Sequence, residues 1–313
     1  MKHLTVLSFG GGQDSTAILL LMIFCPGIRK RYAPGRLLVV MSDTGNEHGY
    51  TYSHVDKMMK LCQQFDIEFH FLTPDMGYHT PAWQNIVDPQ CREEGSKFKE
   101  TMVQLKTKSC TDKVKIGPIY KFLDAWINKE MGYDFKVYQE GGCKKQAMKK
   151  FHAENGRIKI LIGFAQGEEG RAEKSDKLQA NEWAGKGRHA WGKYIERFYP
   201  LIDLGMNRQA CQDYINEKLG YCPMPSNCKL CPYQADPELL LLYKLDRPSY
   251  DTWVGIEERK LKRDQAKEKN YGIFASKRTL PERMEKILEK YSDWTIDQLV
   301  EYKMSHGCQS NAM

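Results

Sequence analysis

The first seventy residues alternate between short apolar runs and stretches whose apolar positions recur every three or four residues. Leu4-Thr-Val-Leu7 is apolar and β-branched, and it ends in Ser8-Phe9-Gly10-Gly11-Gly12. From Ser15 the pattern turns helical through Leu21 and stops near Cys25-Pro26-Gly27, where proline and glycine both oppose continuation. Leu37-Leu-Val-Val-Met41 predicts a second strand, ending at Ser42-Asp43-Thr44-Gly45. A helix follows from about Tyr52 to Phe65, then a third strand over Ile67 to Leu72. Strands alternating with helices predict a parallel α/β sheet, because parallel neighbours need a crossover connection.

Beyond this point the pattern is less regular. Residues 73 to 109 show weak periodicity and are expected to form a loop-rich insertion. A helix is predicted from Pro118 to about Lys129, and a further strand from Ile158 to Phe164, followed by Gly167-Glu168-Glu169-Gly170. Residues 170 to 190 are polar and are expected as a mobile loop. Asn207 is placed to cap a helix over Arg208 to Leu219. After a cysteine-rich turn the rest reads helical: 237 to 245, roughly 250 to 269, 281 to 291, and a last helix opened by the capping box Thr295-Ile-Asp-Gln298. No internal repeat or low-complexity tract interrupts the chain.

Composition narrows the class. Of 313 residues, 41% are hydrophobic and 28% charged, as in an ordinary globular protein. The longest apolar run, Ala17 to Cys25, is about half of what a membrane-spanning helix needs. Met1-Lys2-His3 leads into a strand rather than a signal-peptide core, so a cytoplasmic protein with no membrane partner is expected. The formal charge of +7 permits a nucleic-acid or other polyanionic partner without requiring one. Ten cysteines without an export signal are the less ordinary feature. In a reducing compartment they read as buried thiols, metal ligands or catalytic groups rather than disulfides.

The turn Gly10-Gly11-Gly12-Gln13-Asp14-Ser15-Thr16 lies between the first strand and the first helix. Consecutive glycines let backbone amides approach an anion, and the helix N-terminus adds a favourable dipole. The same residues would also serve a tight turn capped by Asp14 or Ser15. No lysine followed by Ser or Thr comes after the last glycine, as a Walker A loop requires, and Ser15 stands where a dinucleotide fingerprint needs its third glycine. Asp14 would repel a bare pyrophosphate at the helix entrance, so its position makes sense if Mg2+ intervenes.

This turn resembles the PP-loop of the ATP pyrophosphatase (adenine nucleotide α-hydrolase-like) superfamily, Ser-Gly-Gly-x-Asp-Ser followed by Ser or Thr. Gly10 replaces the pattern's first Ser, and Gln13 stands at a position often held by Lys. Further elements are similar to the phosphoadenosine phosphosulfate (PAPS) reductase-like branch: Asp43-Thr44-Gly45-Asn46-Glu47 with Thr51-Tyr52, Ser109-Cys110-Thr111 with Lys115 and Pro118, and Ile162-Gly163 with Glu168, Glu169 and Arg171. Tyr199-Pro200-Leu201-Ile202 with Asn207, Arg208 and Cys211, and Ser226-x-Cys228-x-x-Cys231-Pro232, complete the series. The resemblance implies a five-stranded parallel sheet between helices. It places the nucleotide against Ser8, Gly10, Gly11, Gly12, Asp14, Ser15 and Thr16, with Asp43, Thr44 and Gly163 lining the adenosine and Arg171 beside it. Asp14 would orient the metal or phosphates, and Ser15 and Thr16 would donate to phosphate oxygens. Arg171, Lys174 and Lys177 are candidates for contacting an anionic substrate. The nucleotide domain with the cysteine site is expected to span 1–234, with a helical extension over 235–313.

Cys228 and Cys231 form a Cys-x-x-Cys pair, the spacing with which zinc ribbons and iron–sulfur sites present two thiolates. Cys110, Cys211 and Cys222 are candidates to complete the site, with Cys143 an outsider. The resemblance favours Cys110 and Cys211, with Cys222 as substitute for the latter. Four thiolates suit either Zn2+ or a four-iron, four-sulfur cluster. The cluster is preferred because several thiolation enzymes of the superfamily carry one. Cys25, Cys62 and Cys91 read as ordinary thiols, His48 and His54 as structural, and Arg259 to Lys269 as a solvated helix face.

The resemblance implies an ATP- and Mg2+-using enzyme that adenylates its substrate, releases pyrophosphate and transfers sulfur to a nucleobase or nucleic acid, in partnership with a sulfur-donor protein. Two alternatives stand beside it. A PAPS reductase would need a reactive tail cysteine, and the end of this chain offers only Ser305-His306-Gly307-Cys308. A non-catalytic nucleotide-binding module stapled by zinc is favoured by the missing Ser at Gly10.

Overall fold

The computed structural model describes residues 3–90, 110–142, 145–186, 191–231, 233–263 and 278–306. Packing divides the chain into two compact units: 1–43 with 49–80 and 115–224, and 44–48 with 81–114 and 225–313. The cysteine turn from Pro225 groups with the C-terminal helices by packing.

The first unit runs β1 (Leu4–Ser8), α1 (Gln13–Phe24), α2 (Pro26–Tyr32), β2 (Arg36–Ser42), α3 (Gly49–Gln64), β3 (Glu68–Leu72), α4 (Gly117–Glu130) and α5 (Gln146–Asn155). It continues through β4 (Ile158–Leu161), α6 (Glu169–Trp183), β5 (Ile195–Phe198), α7 (Pro200–Asp203) and α8 (Arg208–Leu219). The five strands are all parallel in the order β3-β2-β1-β4-β5. Reversal of strand order about β1 makes this a doubly wound α/β sheet, whose ligands bind beyond the strand C-termini where the order reverses.

Alternation along the strands explains why both faces are covered. Leu7, Val39 and Met41 pack on one side against α1, α3 and α8. Leu4, Val6, Leu38, Val40 and Ile160 pack on the other against α4 and α5. Central parallel strands buried on both faces read as continuous apolar runs, as Leu37 to Met41 does. Helix α1 is apolar nearly all round, with Ala17 to Met22 all buried, so it is a core element rather than a surface helix.

The region expected as a mobile loop over 170 to 190 is instead largely helix α6. Only Ala172 and Glu182 of this helix are buried, so no apolar stripe marks it in the sequence. Polar anchors hold it instead. Trp183 Nε1 donates to Ile195 O (2.9 Å), Arg197 N to Gln179 Oε1 (2.6 Å), and Arg197 Nη2 to the buried Glu182 carboxylate (2.8 Å). Helices α2 and α5 add to the elements expected from the pattern; α2 is opened by the very Pro26 that ends α1, since proline is welcome at a helix's first position.

The second unit contains α9 (Asp236–Leu245), α10 (Arg247–Arg263), α11 (Leu280–Lys290) and α12 (Ile296–His306). Its core gathers Leu239 to Leu242, Trp253, Leu280, Met284, Ile287 and Leu299, all buried. The box at Thr295 forms as predicted, Gln298 N donating to Thr295 Oγ1 (3.2 Å) and Thr295 N to Gln298 Oε1 (2.9 Å). Between Thr73 and Gln90, the described part of the expected insertion, the helical elements are two 3-10 turns, Pro74–Met76 and Asp88–Gln90. No helix among the described residues is long and apolar enough to cross a membrane.

Candidate functional site

The glycine-rich turn lies at the C-terminal end of β1, at the strand where the order reverses. Gly11 has φ of +69°, the left-handed region, and a Cβ there would meet Thr51 Cγ2 at 2.9 Å. Ser15 Oγ donates to Gly12 O and accepts from Gly10 N–H, both at 3.2 Å, so this buried hydroxyl pins the turn. Thr16 is fully buried. Its hydroxyl donates to Gly12 O at 2.8 Å, so His54 Nε2, also at 2.8 Å, must be the donor to Thr16 Oγ1. His54 Nδ1 is then left as acceptor for Tyr221 OH at 3.0 Å. Burial holds the imidazole neutral, pushing its pKa down to about 4, with Lys57 adding to the effect. Thr16 is thus a brace of the turn, and the His54–Tyr221 clamp is a feature that no sequence spacing announces.

Gln13, at the position often held by Lys in the resembling pattern, is buried and turned inward. Its Nε2 donates to Pro223 O (2.9 Å) and its Oε1 accepts from Gln212 (3.1 Å).

Asp14 is the chemically exceptional group. Burial pushes its carboxyl up from 3.8 to about 6, with Arg208 and Arg171 opposing and Glu168 reinforcing the shift. Its Oδ1 is buried and has no hydrogen-bond partner among the described residues. Glu168 collects the two arginines: Arg171 Nη1 donates to its Oε1 at 2.7 Å, and Arg208 Nη2 lies 3.7 Å from the same oxygen. The Arg171 guanidinium also lies 4.2 Å from the Phe164 ring centre, and Phe164 stacks on Tyr199 at 5.4 Å. Lys174 and Lys177 are exposed on α6.

Gly163, just past β4, approaches the start of α1 so closely that a Cβ would lie 2.9 Å from Ser15 N and 3.0 Å from Asp14 Cβ. Ser8 ends β1 and Asp43 follows β2. Asp43 Oδ1 accepts from Tyr52 OH (2.8 Å), and its carbonyl accepts from His79 Nε2 (3.0 Å). These residues gather at the strand C-termini, the end of the sheet where a nucleotide is expected. A buried carboxylate oxygen without a partner, a left-handed glycine and a glycine in backbone contact together fit a cation and phosphates. By contrast, a cavity of about 970 Å³ lined by Arg36, Leu37, Ile67 and Glu68 opens at the strand N-termini, the wrong end for that chemistry.

Thr44 belongs to the second unit, with the cysteines. Cys110, Cys228 and Cys231 are buried and share one cluster with Trp83, Ile86 and Val114. Asn46 O accepts from Lys229 N (2.8 Å) and Asn46 Oδ1 from Leu230 N (2.9 Å), which fixes the Cys-x-x-Cys turn. Cys228 Sγ lies 3.5 Å from Thr44 Oγ1 and 3.7 Å from Glu47 Oε1, while Thr44 Oγ1 donates to that same Glu47 oxygen (3.1 Å). Three of the expected ligands are therefore brought together. Cys211 and Cys222 lie in the first unit instead. Burial pushes the Cys211 thiol up to about 12, and the Cys222 thiol up to about 11. Three thiols are the donor chemistry of zinc or an iron–sulfur cluster. However, among the described residues no group of three or more His, Cys, Asp or Glu side chains is placed to hold a metal ion. Ser109, Cys91, Cys143, Pro232 and Cys308 lie outside the described residues.

No family model matches the chain, and no curated protein matches it. Among solved structures, it is similar to the U34-tRNA thiolase NcsA from Methanococcus maripaludis with its [4Fe-4S] cluster. Identity is 15%, covering 96% of this chain and 73% of that one, with a TM-score of 0.40. A likeness at that level assigns neither fold nor function.

Proposed function

We propose that this protein is an ATP-dependent enzyme that adenylates an oxygen of its substrate, releases pyrophosphate and delivers the activated carbon to a sulfur nucleophile, with a nucleobase or nucleic acid as the substrate. The observation that carries the reading is Asp14: a buried carboxylate with an unpartnered oxygen, at the mouth of a glycine turn that opens a core helix. A structural cap would bond that oxygen to backbone N–H groups.

In the proposed reaction the substrate oxygen attacks the α-phosphorus of ATP. The bond to the bridging oxygen of the β-phosphate breaks, and pyrophosphate leaves. A sulfur nucleophile then adds to the carbon bearing the adenylated oxygen, and AMP departs with that oxygen. Mg2+, when bound, neutralises charge on the phosphates. The backbone amides of Gly11 and Gly12 and the α1 N-terminus supply preorganised donors. Asp14 would hold the cation, and Arg171 and Arg208 would offset anionic charge beside it. Cys110, Cys228 and Cys231 would supply the soft donors that sulfur chemistry needs, as metal ligands or as sulfur carriers.

The test is pyrophosphate release from ATP and Mg2+ in the presence of RNA, measured together with metal content and the visible spectrum of anaerobically purified protein. Release that disappears in Asp14→Ala supports the adenylating reading. Zinc in a colourless protein without pyrophosphate release favours the stapled module. Activity on PAPS that depends on Cys308 favours the reductase.

A further inference from the structure

The C-terminal helices carry a basic cavity that the proposed chemistry does not use. It has a volume of about 230 Å³ and is lined by Asp236, Arg278, Arg283, Lys286, Ile287 and Lys290. Arg283 is neutralised within it, its Nη2 and Nε donating to Asp236 Oδ1 at 2.6 and 3.0 Å. Arg278, Lys286 and Lys290 are exposed; Glu282 attracts the first two and Asp236 the third, without a direct ion pair among the described residues. On α11, Arg283, Lys286 and Lys290 fall within an arc of roughly 60° by helical geometry, and like charges spaced by four residues cost a helix about 0.2–0.5 kcal/mol. Glu282, Glu285 and Glu289 fall on a neighbouring arc, and Glu282 is engaged as the capping partner of Thr279 N (2.7 Å). The cations are therefore concentrated on one side of the helix at a small cost to it.

Aromatic rings continue this surface. The Lys290 ammonium lies 4.9 Å from the Tyr291 ring centre, Tyr291 packs edge-on to Trp294 at 4.9 Å, and Trp294 reaches Tyr302 at 6.1 Å. All three rings are half-exposed. A lipid surface is a poor match, because Leu280, Met284 and Ile287 of α11 are buried in the core and Leu288 is its one exposed large apolar side chain. An acidic peptide would need the cations but not the rings. Phosphates beside stackable rings are what a single-stranded nucleic acid presents.

We infer that Arg278, Lys286 and Lys290, together with Tyr291 and Trp294, form a docking surface for a single-stranded nucleic-acid segment. The cavity takes a phosphate, being smaller than an ordinary nucleotide pocket, and the rings take unpaired bases. This rests on the nucleic-acid substrate proposed above and names the surface that holds it.

The experiment uses the full chain and a fluorescent single-stranded RNA of roughly a dozen nucleotides, within the span of one such surface. Anisotropy is read across a salt series, with unfolding curves to confirm that each variant folds. Lys286→Ala combined with Lys290→Ala is expected to weaken binding and to flatten the log affinity–log salt slope by about 1.4, two contacts at about 0.7 each. Tyr291→Ala is expected to weaken binding about tenfold with the slope unchanged, because a stacking contact releases no counterions. At saturating RNA, pyrophosphate release should match wild type in every variant, with the half-saturating RNA concentration raised in step with the weakened binding. Unchanged affinity and slope in the double variant overturn the inference. So does equal competition by polyglutamate with Tyr291→Ala silent, which points to an acidic protein partner, or competition by inorganic phosphate as strong per phosphate as by RNA. If wild type binds RNA and the variants behave as expected but ATP is not cleaved, the surface stands and the adenylating reading falls.

Discussion

Asp14→Asn is expected to stabilise the ligand-free protein at neutral pH while destroying its activity. In the folded state the carboxyl is pushed up to about 6, from its ordinary 3.8, because burial disfavours the anion more than Arg208 and Arg171 favour it. A folded pKa raised by about two units corresponds to about 3 kcal/mol of differential stability. The sign follows from proton binding. Below pH 3.8 the group is protonated in both states and costs nothing. Between 3.8 and 6 the unfolded chain ionises first, so the wild type loses stability as pH rises, and the loss levels off above 6. Asparagine keeps the shape without the charge. Urea unfolding of both proteins from pH 4 to pH 8, without nucleotide or Mg2+, should show the variant gaining up to about 3 kcal/mol over wild type across that window. Taking the difference cancels groups common to both, such as His54, whose stability effect runs the opposite way because burial pushes its pKa down to about 4. A wild-type-minus-variant difference that stays flat with pH would refute the claim that Asp14 is held as a strained, buried acid.

Three other perturbations probe the surrounding framework. Gly163→Ala places a methyl group 2.9 Å from Ser15 N and should displace the start of α1, costing about 1–3 kcal/mol in urea unfolding and abolishing pyrophosphate release. Tyr221→Phe removes the donor to His54 Nδ1 and should cost about 1–3 kcal/mol; a variant as stable as wild type would show that the clamp does not brace Thr16. Glu182→Ala strips the partner from Arg197 in an ion pair whose side chains are 0% and 7% exposed, so a loss of about 3–5 kcal/mol is expected, read as a lowered urea midpoint.

The elements that the sequence announced are those whose burial is one-sided or total. Leu4 to Leu7, Leu37 to Met41 and Ile158 onward had to be strands of a covered sheet, and the glycine turn had to follow the first of them. The caps at Asn207 and Thr295 were equally legible, since each is a local contact between a side chain and an amide three residues on. Helix α6 was not legible, because its stability comes from Trp183, Gln179 and Glu182 reaching β5, contacts that leave no period in the sequence.

The chain's own order of residues determined the parallel α/β sheet, the position of Asp14 at the mouth of a glycine turn and the Cys228–Cys231 pair. Backbone sterics and apolar periodicity act over a few residues, so a linear reading suffices for them. Tertiary structure alone decided the rest. It turned Gln13 inward and made Thr16 a brace held by His54 and Tyr221. It also left Asp14 Oδ1 buried without a partner, and it set Cys110 beside Cys228 and Cys231 while Cys211 packed against the sheet. Those outcomes depend on which atoms meet across many tens of residues, and on how much water the meeting excludes, which no local spacing encodes.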